Sequence, residues 1–271
     1  MKKAIPFLSC VVISLLVAFP FLWMLLTSLK TYPDIYKFPL LYMPSHITLE
    51  HYINVFKSND LEIYLVNSLV ISLGTVILTI ALALFPAYAL SRLRFRSRRF
   101  LIRTVVFSMV LPQILLVIPF LKILRIMGLS NTREGLILVY LALTTPVAIW
   151  FLIGFFDNIP QALEDAALID GCSRLQTLIK IILPIMRPAV ASVAIYSFFI
   201  AWNEFMFALS YLNSSRVLTL PIFLGRFVGQ YQTRWGELFA GSVISYLVPL
   251  LSFTFLQKQF ISALAKGAVK E

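Results

Sequence analysis

Residues 63–91 read IYLVNSLVISLGTVILTIALALFPAYALS, a run of 29 residues without a charged side chain that lies between Glu62 and Arg92. About 20 predominantly apolar residues are enough for a helix to cross the roughly 30 Å of hydrocarbon in a membrane. Because this run exceeds that length, it predicts a membrane-spanning helix.

The composition of the whole chain supports the same interpretation. Of the 271 residues, 60% are hydrophobic and 13% are charged, and the mean hydropathy is +0.89. An ordinary soluble domain has about 45–50% apolar residues, and this chain has too few polar residues to cover a soluble protein of its size. Intrinsic disorder is excluded on the same ground, and two cysteines cannot form a disulfide framework. The sequence therefore predicts an all-α integral membrane protein in which residues 1–271 form a single transmembrane domain.

Long gaps between charged residues predict six membrane-spanning helices in total. The predicted spans are residues 6–28, 64–90, 103–122, 135–156, 188–209 and 238–257. The first is expected to remain uncleaved, since its apolar run is longer than that of a signal peptide. The fifth contains one charged residue, Glu204, and the segment 157–187 joins the fourth span to the fifth.

Basic residues are concentrated on one side of this predicted topology. The N-terminus, the loop 91–103, the segment 157–187 and the C-terminal tail carry 14 of the 23 Lys and Arg residues, and the densest cluster is RLRFRSRR at 92–99. Because short cytoplasmic loops carry an excess of basic residues, both termini and the segment 157–187 are predicted to be cytoplasmic. The net charge of +11 has the same explanation, and no nucleic-acid partner is predicted because no basic face lies on a soluble module.

The most unusual cytoplasmic stretch is NIPQALEDAALIDG at 158–171. Pro160 is suited to the first turn of a helix and Gly171 to the position after its end, which predicts a short helix of about three turns. The spacing places Leu163, Ala166, Ala167 and Asp170 on one face. The two alanines make that face thin, so that the backbone of another protein can approach it closely.

A second helix is predicted immediately afterwards. Ser173 and Gln176 have the spacing of a capping box. An apolar stripe at helical spacing then comprises Leu175, Leu178, Ile179, Ile182 and Leu183. Four acids lie near the first helix, namely Asp157, Glu164, Asp165 and Asp170. A helix that lies on a membrane surface usually has a basic polar face, so these acids favour a protein partner for the hairpin.

Several motifs give the chain a resemblance to a known family. Asp165-Ala166-Ala167, Gly171 and Ile181-x-Leu183-Pro184 resemble the signature EAA-x3-G-x9-I-x-L-P of the permease subunits of binding-protein-dependent ABC importers, with Asp165 in place of Glu. The stretches NSL at 67–69, AYALSR at 87–92, AWNEF at 201–205 and GAVK at 267–270 resemble the carbohydrate-type branch related to the maltose importer.

The resemblance implies a role for each part of the cytoplasmic segment. In this family the EAA helix is the coupling helix, which docks on a cytoplasmic ATPase dimer that binds ATP and Mg²⁺. The residues that correspond to the coupling segment are Leu163, Glu164, Asp165, Ala166, Ala167, Leu168, Asp170, Gly171, Ile181, Leu183 and Pro184. A second homologous permease subunit, an extracytoplasmic solute-binding protein and surrounding lipid of a bacterial or archaeal inner membrane are the other implied partners, and the implied solute is a sugar or related polyol.

The chain itself is predicted to be a non-catalytic subunit without a cofactor. It lacks the motif G-x4-G-K-[ST] that cradles nucleotide phosphates, since no Gly is followed by Lys anywhere in the sequence. The two histidines, His46 and His51, are expected to be surface or cap residues, and Cys10 and Cys172 are expected to be packing residues.

The acid within the fifth span allows more than one interpretation. With Trp202 and Asn203 beside it, Glu204 could line a solute pathway, since an aromatic face and a carboxylate suit hydroxyl-rich ligands. Alternatively, Glu204 has a structural or gating role. Two other classes of protein stay open at this point, namely a secondary transporter driven by an ion gradient and a membrane scaffold without transport activity.

Overall fold

The computed structural model describes residues 4–57 and 60–268. The predicted motif at 267–270 lies partly outside these residues, as do the basic residues Lys2, Lys3 and Lys270. Over the described ranges the regular structure is helical, apart from an isolated antiparallel bridge between Val228 and Thr233.

The helices follow one another along the chain in a fixed order. They are α1 (Ala4–Ser28), α2 (Tyr32–Ile35), α3 (Glu50–Lys57), α4 (Leu61–Arg92), α5 (Arg98–Val110), α6 (Val117–Ile126), α7 (Arg133–Asp157), α8 (Gln161–Ile169), α9 (Arg174–Thr177), α10 (Leu183–Ile185), α11 (Arg187–Asn203), α12 (Met206–Tyr211), α13 (Leu220–Gly225) and α14 (Trp235–Ala268). A 3-10 turn at Gln113–Leu116 precedes α6, and a π-turn at Leu178–Ile182 joins α9 to α10.

Four helical stretches in the described part of the chain are long and apolar enough to cross a membrane. They are Phe7–Ser28, Leu61–Arg92, Arg133–Asp157 and Trp235–Phe255. Two bent helix pairs raise the number to as many as six if each pair forms one span. The four long helices lie over four of the predicted spans, and the bent pairs lie at the other two.

The third predicted span, residues 103–122, is not one continuous helix. Arg98–Val110 and Gln113–Ile126 meet at an angle of 99°. Pro112 disfavours the helical conformation of the residue before it, and Leu111 is extended with ψ 127°. The predicted span at 103–122 therefore contains a sharp bend, and the break is caused by the proline.

The fifth predicted span, residues 188–209, is interrupted as well. Its helix α11 ends at Asn203, and Glu204 is extended with ψ 128° before α12 begins. On the other side of α11, Arg174–Ile185 and Arg187–Asn203 are bent by 77°. This elbow lies at Met186, where Pro184 and Pro188 each remove a backbone donor.

The described residues form two compact units. One contains the chain up to Leu65 together with Thr219–Pro249. Within it Tyr64 and Phe223 are both buried and pack with their ring centroids 5.3 Å apart. Most of the large apolar side chains described on α1 are exposed, which is the surface that a membrane lipid would cover.

The other unit contains Val66–Leu218 and the chain from Leu250. Its buried apolar cluster joins α4, α7, the π-turn and α11. The members of this cluster are Ala83, Leu84, Ala87, Leu90, Ala148, Ile149, Leu152, Phe156, Leu178, Ile182, Met186, Ala189 and Val193. The cluster thus fixes the ends of three long helices next to the segment that carries α8.

Candidate functional site

Residues 158–160 separate the end of α7 at Asp157 from the start of α8 at Gln161. Pro160 is its N-cap residue, with φ −58° and ψ 128°, and is therefore one position before the first helical turn for which it was predicted. Its ring fixes φ and it lacks an N–H, so it starts the helix without leaving a donor unpaired. The result is a helix of nine residues, Gln161–Ile169, which is slightly shorter than the predicted three turns.

The C-terminal end of α8 is formed by Gly171, as the sequence predicts. Gly171 has φ +84°, which lies in the left-handed region that favours glycine. The amide of Gly171 donates to the carbonyl of Leu168 at 3.2 Å, and the amide of Cys172 donates to the carbonyl of Ala167 at 3.0 Å. These two bonds form a Schellman motif, which satisfies the last carbonyls of the helix.

The helix that follows begins with the predicted capping box. The Ser173 amide donates to the side chain of Gln176 at 2.8 Å, and the Gln176 amide donates to the Ser173 hydroxyl at 3.3 Å. The predicted apolar stripe is divided, because Leu178 and Ile182 are buried whereas Leu175 and Ile179 are exposed. The subunit therefore covers only part of the predicted apolar stripe.

The second half of the signature contains two apolar positions that pack inside the protein. Ile181 and Leu183 are partly buried and pack against the apolar cluster described above. Pro184 is exposed, and its missing N–H leaves the carbonyl of Lys180 without its helical donor next to the π-turn. This part of the segment therefore fastens the hairpin to the long helices.

The exposed surface of α8 differs from the predicted one. Ala167 is buried, so the face of Leu163, Ala166, Ala167 and Asp170 is not wholly available to a partner. The residues of α8 and its end that are exposed are Gln161, Ala162, Leu163, Asp165, Ala166, Leu168, Ile169, Asp170 and Gly171. The exposed fraction of Ile169 is 86%, and this is a large apolar side chain next to two exposed acids.

The structure also corrects the expectation that Glu164 belongs to an exposed acidic surface. It is buried, and its carboxylate accepts bonds from the guanidinium of Arg92 at 2.5 Å and from the hydroxyl of Tyr88 at 2.9 Å. Asp157 likewise accepts a bond from Ser91. Two of the four predicted surface acids are therefore paired with residues of α4.

A large apolar groove lies on the other side of α8. It has a volume of about 660 Å³. Its walls include Trp150 and Phe151 of α7, Ile102 of α5, and Pro160 and Leu163 at the beginning of α8. The helix is thus held on one flank by polar contacts and is open on the other.

The three residues proposed to line a solute pathway have different surroundings. Trp202 is 1% exposed and stacks on Phe198 with ring centroids 5.5 Å apart. Asn203 is exposed, and its side-chain amide donates to the carbonyl of Phe199 at 2.9 Å. The two side chains therefore do not form one polar surface.

Glu204 is engaged in capping the next helix. Its carboxylate accepts bonds from the amides of Phe207 and Ala208 at 2.8 and 3.0 Å, and from the hydroxyl of Tyr140 at 2.7 Å. These bonds hold the start of α12 against α7, and they explain the break that ends α11. The contacts favour the structural alternative for Glu204.

Sequence reasoning missed a buried polar cluster in the unit that contains α14. Glu237 is fully buried, and it accepts bonds from the side chains of Tyr32, Asn54 and Arg234. His51, which lies in α3, is also fully buried beside it, so of the two predicted places, surface or cap, the surface is excluded. The hydrogen bond between Arg234 and Glu237 raises the pKa of Arg234. Burial, together with the separate hydrogen bond from Tyr32 to Glu237, raises the pKa of Tyr32. Arg234 and Glu237 are only three residues apart, but Tyr32 and Asn54 lie 205 and 183 positions from Glu237, so only the fold reveals the cluster.

Over residues 4–57 and 60–268 no group of three or more His, Cys, Asp and Glu side chains is placed to hold a metal ion. Cys10 is exposed and Cys172 is half-buried, and neither forms a disulfide. That this chain binds no cofactor stays a prediction.

Residues 79–266 match a family described as the binding-protein-dependent transport system inner membrane component. The chain belongs to this family. It is thus an inner-membrane permease subunit of a binding-protein-dependent transporter, as the sequence predicts, and not an enzyme. The membership decides against the ion-gradient-driven transporter and the scaffold.

Named relatives of this permease align over nearly its whole length. The trehalose/maltose transport system permease protein MalG of Thermococcus litoralis is 35% identical, over 100% of this chain and 98% of the relative. The sulfoquinovosyl glycerol transport system permease protein SmoH of Agrobacterium fabrum is 32% identical, over 99% and 94%. The trehalose transport system permease protein SugB of Mycobacterium tuberculosis is 34% identical, over 93% and 92%.

Solved structures share the fold of the permease. A chain in the crystal structure of a bacterial ABC transporter involved in the import of the acidic polysaccharide alginate superposes with a TM-score of 0.81 at 20% identity, over 96% of each chain. A chain in the alginate transporter complexed with its pentasaccharide-bound periplasmic protein gives a TM-score of 0.68 at 16% identity, over 94% of this chain and 92% of the other. These similarities confirm the all-helical permease fold.

Proposed function

We propose that the permease forms part of the translocation pathway for a sugar or related polyol, and that α8 couples this transport to ATP hydrolysis by a separate subunit. The observation that carries the coupling role is the exposed surface of α8. Leu163, Leu168 and Ile169 are large exposed apolar side chains beside Asp165 and Asp170. Large apolar side chains that a subunit leaves exposed often mark a surface that another protein covers.

Both ends of α8 are well defined, and this supports its coupling role. The Pro160 cap and the Schellman motif at Gly171 define both ends of a nine-residue helix, so the surface that it presents is fixed in shape. A fixed surface loses little conformational entropy on docking. We therefore infer that a cleft on an ATPase subunit receives this helix, and that ATP and Mg²⁺ bind to the ATPase rather than to this chain.

The choice of a sugar or polyol is supported by the relatives. Full-length relatives are named for trehalose, for trehalose and maltose, for sulfoquinovosyl glycerol and for diacetylchitobiose. All of these molecules carry many hydroxyl groups. The proposal includes a second homologous permease subunit, an extracytoplasmic solute-binding protein and the plasma membrane of a bacterium or archaeon.

We further propose six spans with both termini and the segment 157–187 in the cytoplasm. The four long apolar helices and the two bent pairs supply enough apolar length for six crossings. The basic loop at 92–99 and the segment 157–187 then lie on the same side, which agrees with the positive-inside rule.

Uptake by the complete importer in proteoliposomes tests this function. Trehalose, maltose and diacetylchitobiose serve as the probe sugars. ATP-dependent uptake that vanadate inhibits and an uncoupler does not would support the proposal. Uptake that collapses with the uncoupler while ATP is held constant would count against it, as would an affinity-purified complex without an ATPase subunit.

Asp165→Lys tests the docking surface directly. Asp165 is exposed on α8, so reversing its charge should leave folding and membrane insertion intact while weakening the contact with the ATPase. We expect about a tenfold fall in sugar transported per ATP hydrolysed. Glu50→Lys makes the same change on the exposed start of α3 and should behave like the unmodified protein. Normal coupling in correctly assembled Asp165→Lys importer would rule out docking through this face.

A further inference from the structure

Little of α8 is buried against its own subunit. Only Glu164 and Ala167 among its residues are buried, and the apolar groove leaves one flank of the helix open. An alanine has one methyl group to pack, so it fixes the position of a helix weakly. The attachment of α8 therefore depends on Glu164.

Both oxygens of Glu164 bind the last turn of α4. Arg92 Nε donates to Oε1 at 2.5 Å and the Tyr88 hydroxyl donates to Oε2 at 2.9 Å. The side chains of Arg92 and Glu164 are 11% and 8% exposed, so water screens the pair only slightly. Because Tyr88 and Arg92 are four residues apart, they lie on the same face of α4 and can both donate to one carboxylate.

Three further contacts hold the segment that leads into α8 to the same turn. Arg92 Nη2 donates to the carbonyl of Ile159 at 2.7 Å, and Ser91 donates to the carboxylate of Asp157. The ring of Tyr88 packs edge-on against Phe156, with centroids 5.5 Å apart. The end of α4 thus binds α8, its linker and the end of α7.

From these contacts we propose that Glu164 is a positioning residue that joins α8 to the C-terminal end of α4, so that the two move as one lever. The proposal deepens the coupling role and rests on the proposed docking of α8. A displacement of α8 by the ATPase is passed through Arg92 and Tyr88 to a helix of 32 residues, which is about 48 Å long. This carries the displacement away from the docking surface along α4.

Glu164→Gln and Arg92→Gln test the lever in the complete importer. Each change removes one charge; Glu164→Gln keeps the length of the side chain, and Arg92→Gln keeps a shorter polar side chain. We expect assembly and ATP hydrolysis to continue, while the amount of sugar transported per ATP falls about 2- to 30-fold. The probe is whichever of trehalose, maltose and diacetylchitobiose the unmodified importer transports. A merely structural contact would change the amount of assembled complex but not this ratio.

Arg96→Gln is the matched control for Arg92→Gln. Arg96 is exposed in the loop after α4, so its loss should leave the ratio of sugar to ATP unchanged. The comparison with Asp165→Lys separates two failures. If Asp165→Lys uncouples the importer while Glu164→Gln does not, the lever is wrong and docking through α8 stands. If neither variant uncouples it, the proposed docking fails, and the lever fails with it.

A cross-link tests rigidity without altering Glu164. Ser91→Cys and Asp157→Cys place two thiols at an existing contact, in a background with Cys10 and Cys172 replaced by serine. A short bifunctional thiol reagent then joins α4 to the segment before α8. Because the lever moves as one body, uptake by the cross-linked importer should equal that of the same variant before cross-linking. Uptake that stops on cross-linking and returns on cleavage of the reagent would overturn the proposal.

Discussion

Glu237 and His51 show how a fully buried acid is satisfied in this permease. The Oε1 atom of Glu237 accepts all three of its side-chain bonds, and Oε2 lies 3.7 Å from His51 Nδ1, with neither of these two atoms hydrogen-bonded within the described residues. His51 Nε2 lies 2.8 Å from the carbonyl of Lys30, which only accepts, so Nε2 is the protonated nitrogen. Nδ1 and Oε2 therefore face each other beyond hydrogen-bond distance.

Gly236→Ala should disturb this cluster. A Cβ at position 236 would overlap the imidazole ring of His51, which is buried and cannot swing into solvent. We expect a loss of about 1–3 kcal/mol in the free energy of unfolding, the usual cost of overpacking. Thermal unfolding of the purified importer measures it.

Gly154→Ala is the control for that substitution. Gly154 lies within α7, and a Cβ there meets nothing within 4 Å. Alanine favours a helix over glycine by about 1 kcal/mol, so the control should be neutral or stabilising. Equal unfolding temperatures for the Gly236 and Gly154 variants would contradict the packing of His51 on Gly236.

At the scale of elements, the ends of α8 and α9 could be predicted because their signals are local. Gly171 supplies a left-handed conformation, and Ser173 and Gln176 satisfy each other across one turn. The burial of Glu164 could not be predicted, since Arg92 lies 72 positions away in the sequence. The break at Glu204 is similar, because it depends on Tyr140 at a separation of 64.

Gly171→Ala should reduce the coupling of transport to ATP hydrolysis more than its small loss of stability alone would suggest. The open space around the Cβ position means that the penalty comes from the backbone φ of +84° alone, about 1–2 kcal/mol. We expect the Schellman motif to weaken and the sugar transported per ATP to fall about twofold or more. Uptake and ATP hydrolysis in proteoliposomes measure the change.

Gly128→Ala carries the same strain at a different place. Gly128 follows the end of α6 with φ +69°, and its Cβ position is also open. Its variant should lose a similar amount of stability and keep normal coupling. A matching loss of coupling in both variants would show that general destabilisation, and not the end of α8, is responsible.

For the whole molecule, uncharged runs in the sequence locate every long apolar helix of the described chain, including α4 and α7. They do not reveal where two predicted spans bend. Pro112 gives a local sign of one bend, whereas the other depends on prolines and a π-turn acting together at 178–188. A hydropathy run reports the length of apolar chain and not its direction.

Single cysteines can test the proposed topology in a background without Cys10 and Cys172. Ser97→Cys lies in the basic loop after α4 and Ser215→Cys lies between α12 and α13, and both positions are exposed. A membrane-impermeant maleimide should label residue 215 and not residue 97 in cells with a permeable outer envelope. Inverted vesicles should show the opposite pattern. Labelling of both positions from one side would refute the six-span arrangement.

The elbow of 77° at Met186 has a geometric consequence for the proposed topology. Where α11 stands along the membrane normal, the arm Arg174–Ile185 is inclined so far that it runs nearly parallel to the plane of the bilayer. On this arm, Leu178 and Ile182 face the protein, whereas Leu175 and Ile179 face outward. In the proposed topology this outward apolar pair is a surface that the subunit itself does not cover.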